Sequence, residues 1–388
     1  MFKPIVAVLA ALALAPLAGA AEETQVSAPA ADPAILEGKV ESLTEQFVET
    51  RASVAGLLKL KLSGYIQARW AWQEAIKYGS GAPDKDNFYI RRGRFKVVAD
   101  ADLTQFVMQL DAISSGLSLK EAYATVKLPG KWAVDAGLQL MPFGYEVASR
   151  SSSDLDLLER SQASVYFLDG EYDLGVSARG KVGPLAVRGG LFNGNGIKGG
   201  AGRDNDQAKD LIARATWDLG FLTGGLSGWY GKAINQAAIV NGGHVSYDRV
   251  RAAVDAQLFL DLLPVGGTFL KGEYIWGKTG IGTASGGAGA NLGRAASGVY
   301  AILGQNLGPW DQVAVRYDSF INHAIDVSGP TNTKVKQTNE VSTALHHFIG
   351  GSGKLSLAYY HPMNGTKGAV AVADPKADRV EAQLQAKF

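Results

Sequence analysis

From about residue 60 to the C-terminus the chain repeats segments in which apolar and polar residues alternate, and the connections between them alternate in length. Strand period is expected near 60–73, 88–101, 104–113, 119–128, 131–138, 172–182, 185–192, 211–219, 222–231, 247–259, 265–276, 297–306, 311–319, 338–348, 353–360 and 379–388. Short connections fall at 102–103, 129–130, 183–184, 220–221, 261–264, 307–310 and 350–353, most of them with Gly/Pro turn chemistry. Between them lie long connections at 74–87, 139–171, 193–210, 232–246, 277–296, 320–337 and 361–378, and a smaller one at 114–118. A soluble sandwich has no reason to sort its loops this way. A transmembrane barrel does, because it has short periplasmic turns and longer outer loops, and an even strand number suits it.

No continuous apolar run beyond the N-terminus is long enough for a membrane helix, so a membrane form of this chain must be a barrel. Residues 1–20 carry Lys3, an apolar stretch over 5–14 and an Ala-Gly-Ala end, the pattern of an export signal. Residues 21–33 are rich in Ala, Pro and Glu and read as a flexible leader. From Leu36 the apolar positions Val40, Leu43, Phe47, Val54 and Leu57 step by helical spacing, with charged residues between them. That spacing predicts a short coiled coil within 21–58, or a lone amphipathic helix, ahead of a barrel over 59–388. The fold class expected is therefore all-β, a sixteen-stranded antiparallel transmembrane barrel with a short N-terminal periplasmic coiled-coil helix.

Strand alternation sorts charge. In the stretch 88–100, Arg92, Arg94 and Lys96 share one face, while Tyr89, Phe95, Val97 and Ala99 share the other. Taking the polar parity of each strand as inward adds Lys61, Arg69, Lys127, Lys131, Arg179, Lys181, Arg188, Arg214, Arg249, Arg251, Lys271, Arg316, Lys354, Arg379 and Lys387 to the cations of the inner wall. The acids on that parity are Asp111, Glu121, Asp135, Asp218, Asp255, Glu273, Asp318 and Glu381. Cations thus outnumber acids by roughly two to one if the period holds, although the net charge of the whole chain is only +1. The alternative is that these cations pair with acids across the wall, which removes some of the excess. Aromatics at strand ends (Trp70, Trp72, Trp132, Trp217, Trp229, Tyr230, Tyr274, Trp276, Tyr359) fit interfacial girdles, and each taken singly fits a core position equally well. The final strand alternates to a terminal Phe388, which resembles the C-terminal signal of outer-membrane barrels.

Other chemistry is thin. The near-zero charge gives no footprint for nucleic acid, and the absence of cysteine removes thiolate sites and disulfides. The string 272–279 matches a phosphate-loop pattern, but Tyr274, Ile275 and Trp276 are too bulky to wrap phosphate and no helix follows. The Gly194–Gly199 dinucleotide-like match opens no helix either. His346 and His347 point to opposite faces, and Asp154, Asp156 and Glu159 lack the order of a calcium loop, so no metal or cofactor is expected. No Gly-x-Ser-x-Gly elbow or compact acid–base group suggests a barrel-borne hydrolase.

Three runs carry a family resemblance: Tyr-Ile-Arg-Arg-Gly-Arg-Phe at 89–95, Gly-Leu-Gln-Leu-Met-Pro-Phe-Gly-Tyr-Glu at 137–146 and Leu-Glu-Arg-Ser at 158–161. They resemble the phosphate-selective porin O/P family of Gram-negative outer membranes, most closely over about 60–190. The resemblance implies a trimeric, sixteen-stranded porin in outer-membrane lipid, with a third outer loop folded inward and basic residues conducting small anions such as phosphate. It makes Arg92, Arg94 and Lys96, with Arg150 or Arg160 from the loop, candidate anion contacts. With Arg69, Lys127 and Arg179 from the charge inventory, these residues form the expected anion pathway. A general or sugar-conducting porin is the alternative reading.

Overall fold

A computed structural model describes residues 39, 41–49, 59–74, 85–168, 171–194, 196–197, 207–240, 243–278, 295–322, 336–363 and 378–388. The chain divides into two units, 1–58 and 59–388. In the first, residues 41–49 are helical. The expected signal, the leader and most of the heptad segment lie outside the described residues.

The second unit is a closed antiparallel barrel of sixteen strands, each paired with its sequence neighbours. They are β1 (Leu60–Gln73), β2 (Lys85–Ala101), β3 (Thr104–Ile113), β4 (Gly116–Leu128), β5 (Trp132–Leu140), β6 (Tyr172–Val182), β7 (Leu185–Phe192) and β8 (Asp210–Asp218). Then follow β9 (Leu222–Val240), β10 (Gly243–Leu263), β11 (Gly266–Lys278), β12 (Ala295–Leu307), β13 (Asp311–Asn322), β14 (Lys336–Ile349), β15 (Gly353–Met363) and β16 (Arg379–Lys387). All sixteen expected strands are present. One expected long connection is largely strand: β9 runs to Val240 and β10 begins at Gly243. Strands of 19 and 21 residues exceed the roughly 9–11 needed to cross a bilayer, so this hairpin continues beyond the membrane band. At the opposite end the tight turns rely on left-handed backbone at residues such as Gly183 (φ 57°) and Gly308 (φ 71°).

Polarity is inverted relative to a soluble fold, as lipid requires. Leu211, Leu226, Leu270, Val299, Leu303, Leu345, Leu357 and Leu384 are exposed on the outside, while Arg94, Asp111, Arg214, Asp255, Arg316 and Glu381 are buried within. The barrel closes where β1 meets β16 in a continuous register from Tyr65↔Lys387 to Gln73↔Arg379. The last residue extends that seam: Phe388 N–H donates to Gly64 O and Gly64 N–H donates to Phe388 O, both at 3.1 Å. Its ring lies over Gly64 and near the Phe95 ring, with centroids 6.3 Å apart. The terminal aromatic is thus a part of barrel closure.

The register shifts at four places among the described strands, and two of these shifts bear on the inner wall. Between β1 and β2 the register passes from Gln67↔Arg92 to Ala68↔Ile90, leaving Arg91 unpaired. Between β3 and β4 it passes from Gln109↔Glu121 to Leu110↔Leu119, leaving Lys120 unpaired. Each is a β-bulge, which re-aims side chains. The first corrects the sequence reading: beyond the bulge the parity of β2 reverses, so Tyr89 pairs with the buried Arg69 and faces the lumen rather than lipid.

A side chain at position 64 would meet Arg94 O at 2.4 Å and the Phe388 ring at 2.6 Å. We therefore expect Gly64→Val to lower barrel stability by about 2 kcal/mol or more through overpacking at the seam. The urea midpoint of heat-modifiable gel migration would show it, and an unchanged midpoint would exclude this role for Gly64.

Candidate functional site

The long connection 141–171 turns into the barrel instead of standing on its rim. Its apolar residues explain why. Met141, Phe143, Val147, Ala163, Phe167 and Leu168 pack on Phe192, Ile212, Trp229, Ala253, Ile275, Ala296 and Phe320 of the inner wall. Leu157 and Leu158 pack on Phe269, Tyr300, Ile302, Ala314, Ala344, Ala358 and Tyr360. Trp229 is therefore part of an internal core, 4% exposed, and not of an outer girdle. Sequence reading missed this core, although its signal exists: Ile212 shares a parity with Arg214, and Ile275 with Lys271 and Glu273. Apolar residues recurring on the polar parity of successive strands mark a wall on which a loop lies.

Charged wall residues satisfy the loop's irregular backbone. Glu273 accepts from Tyr145 N–H (2.7 Å), and Asp318 accepts from Gln162 N–H (2.7 Å). Arg316 donates to Glu159 O (2.8 Å), Arg69 to Leu158 O (3.3 Å), Arg251 to Phe167 O (2.5 Å) and Gln67 to Ser152 O (3.1 Å). Within the loop, Ser161 caps the helix Gln162–Phe167 by accepting from Ser164 N–H, and Glu146 accepts from Ser161 N–H at 2.7 Å.

The expected pathway residues do not form one cluster. Arg69 is 2% exposed and committed to Glu159 (2.6 Å) and Glu381 (3.0 Å). Arg92 and Arg94 open onto a cavity between the loop and β2–β4, which Arg91, Lys120 and the loop residue Arg160 also line. Asp111, Glu159 and Glu171 line the same cavity, so cations exceed acids there by five to three. Arg94 reaches Asp111 (3.4 Å) and Tyr172 OH (3.1 Å), and Arg160 pairs with Glu171. Lys96 is held by Glu121 at 2.6 Å, and Lys127 lies near the tight-turn end, paired with Asp100. Arg150 is elsewhere, 3.7 Å from Asp156 in a cavity shared with Lys354 and Lys387. Arg179 belongs to a third cavity with Lys131, Lys181, Arg188 and Arg214, where no carboxylate forms the lining. Its partner Asp135 sits behind it, 2.9 Å away. Most inner cations are thus paired, as the alternative in the sequence reading allowed, and the positive excess survives locally in the first and third cavities.

The two residues that sequence reasoning missed are Arg91 and Lys120. Strict alternation would turn one member of each doublet, Arg91-Arg92 and Lys120-Glu121, toward lipid, at a cost of about 2–4 kcal/mol for a midplane basic residue. The bulges turn both members inward. A charged doublet inside an alternating strand is therefore a readable sign of a bulge. Arg91 then grips Glu159 with two hydrogen bonds, of 2.6 and 3.0 Å. Burial alone would raise the Glu159 carboxyl, but the charges of Arg92, Arg91 and Arg69 outweigh it and hold the group well below the usual carboxylate range.

Residues 63–225 match the family model described as phosphate-selective porin O and P. That region belongs to the porin O/P family. No curated protein matches the chain. Among solved structures, an anion-selective porin from Comamonas acidovorans superposes with a TM-score of 0.58 at 14% identity, covering 85% of this chain and 99% of that one. Salmonella typhi OmpF, in complex with daunomycin, gives 0.61 at 12% identity, covering 85% and 97%. The trimer form of Vibrio cholerae OmpT gives 0.55 at 9% identity, covering 85% and 99%. At these identities the likeness is one of fold. The family match and the barrel together support an outer-membrane porin channel.

Glu159→Gln removes the one carboxylate shared by Arg69, Arg91 and Arg92 and should cost about 3 kcal/mol, the low end for a broken buried pair because Arg91 and Glu159 both touch water. Its signature should be faster proteolysis within 150–160 of the folded barrel. The pH dependence follows from the depressed carboxyl: its contribution is present above the ordinary value of 4.5 and disappears only as pH falls through the lower, folded value. Loop protection in the native chain should therefore persist when the pH is lowered to about 4.5, and loss of protection near pH 6 would contradict this clamp.

Proposed function

We propose that the protein is a passive, anion-preferring outer-membrane channel, with phosphate among the small anions that pass. The observation that carries this reading is the cavity beside the inward loop, where five cations face three acids. The cavity of Lys131, Arg179, Lys181, Arg188 and Arg214 supports it, because it adds basic lining without a carboxylate at its surface. A pore wall with excess guanidinium and ammonium groups draws anions and repels cations, and arginine forks suit phosphate and carboxylate oxygens. Arg92 and Arg94 are the wall contacts on this reading, with Arg160 opposite on the loop. We assign a homotrimer, supported by the trimer form of the OmpT neighbour, and place the N-terminal helix in the periplasm after removal of 1–20.

One observation favours a second reading. The density of ion pairs along the wall leaves little uncompensated charge, as in a general or sugar-conducting porin with weak selectivity. Liposome swelling with neutral sugars at rates matching small anions would support that reading.

The first test is the zero-current potential of the channel in a planar bilayer under a salt gradient. The expected sign is anion preference; cation preference would overturn the proposal. If phosphate has a specific site, phosphate should reduce chloride conductance at low concentration, and Arg94→Ala should weaken that block about tenfold, the effect of one charge-assisted contact. Block unchanged in Arg94→Ala would remove Arg94 from the pathway.

A further inference from the structure

The cations that line the cavity beside the loop are not equivalent. Arg91 donates two hydrogen bonds to Glu159. Arg92 reaches Gln67 and Glu159, Arg94 reaches Asp111 and Tyr172, and Arg160 pairs with Glu171 and donates to Glu146 O. Lys120 alone of the five makes no hydrogen bond or ion pair with the described residues. It is half-buried, and the acids nearest in the cavity, Asp111 and Glu171, are already engaged by Arg94 and Arg160. Its position is a product of the bulge in β4, since without the unpaired residue the lysine and Glu121 could not both face inward.

We infer that Lys120 is the selectivity-determining residue of this cavity, the uncommitted ammonium that a passing oxyanion or halide contacts first. The inference rests on the anion-channel reading above. An anion meeting an arginine here must compete with a carboxylate already in contact, whereas Lys120 holds no carboxylate among the described residues. Removal of Lys120 deletes one unit of charge without breaking a contact, whereas removal of a paired arginine also strands its carboxylate and disturbs the loop. The bland reading is that the bulge only keeps a basic side chain out of lipid. In that case the charge itself would be dispensable.

The absence of cysteine in this chain allows a direct test. Lys120→Cys gives a single thiol on the folded channel, and zero-current potentials are read before and after treatment with an aminoethyl thiosulfonate, which restores a positive charge, or a sulfonatoethyl one, which adds a negative charge. The anion-to-cation permeability ratio should fall about two- to threefold in the cysteine variant, the scale of one screened charge in a wet pore. It should recover with the aminoethyl reagent and fall further with the sulfonate. Lys59→Gln, an equal charge change in the turn region paired with Asp102, should leave the ratio as it is. A cation-selective native channel would overturn the anion reading itself. A native channel that prefers anions, with a ratio indifferent to the charge at position 120, would overturn only the role of Lys120. If the cysteine variant assembles poorly, Lys120→Gln and Lys120→Arg give the same comparison by loss and retention of charge.

Discussion

An irregular backbone inside a closed barrel needs hydrogen-bond partners, and here the wall supplies them. Among the described residues the segment 141–171 contains two short helices, so most of its amides and carbonyls cannot satisfy one another. Glu273 and Asp318 accept from loop amides, while Arg69, Arg251, Arg316, Gln67 and Lys354 donate to loop carbonyls. The apolar wall from β7 to β15 gives the loop a reason to leave the rim, and the charged residues fix where it rests. Many inner charges are therefore structural, and a count of lumen cations overstates what a solute meets.

The same constraint produces the asymmetry of the lumen. The loop presses its apolar face on one side of the barrel and presents Glu159, Arg160 and Val165 toward β2–β4 on the other. On the open side, the bulges at Arg91 and Lys120 concentrate basic groups at one place in two nearby strands. Arg91 serves the loop through Glu159, and Lys120 serves nothing in the described structure. A bulge pair of this kind turns a problem of lipid exposure into local charge beside the pore.

The strand count and the tight turns could be read from the sequence because each depends on local periodicity or turn chemistry, whereas the part Phe388 plays in closing β1 onto β16 could not. Alternation placed Arg92, Arg94 and Lys96 on the lumen side correctly. It failed at Tyr89 because period two carries no memory of an inserted residue, and one extra amino acid inverts everything beyond it. Trp229 could not be decided from sequence for a different reason: a tryptophan near a strand end has the same sequence appearance whether lipid or a folded-in loop covers it. The separation of Arg150 from Arg160 was hidden as well, since their fates depend on how the loop crosses the lumen. The sequence marks that remained unused were the doublets Arg91-Arg92 and Lys120-Glu121, whose conflict with alternation has only one inexpensive resolution.

Ion pairing also bears on how tightly such a channel could hold a solute. For an arginine in this cavity to grip phosphate with both arms, it must release Glu159, Asp111 or Glu171, and each release costs a partly buried carboxylate one of its cationic partners. That penalty opposes tight binding at the arginines while leaving their long-range attraction partly intact. A single unpaired ammonium offers a weaker contact with no such penalty, and rapid passage requires a solute to leave as readily as it enters. On the anion-channel reading, the pairs and the free lysine therefore divide the work: the pairs keep the loop in place and the binding shallow, and the lysine biases which sign of charge enters.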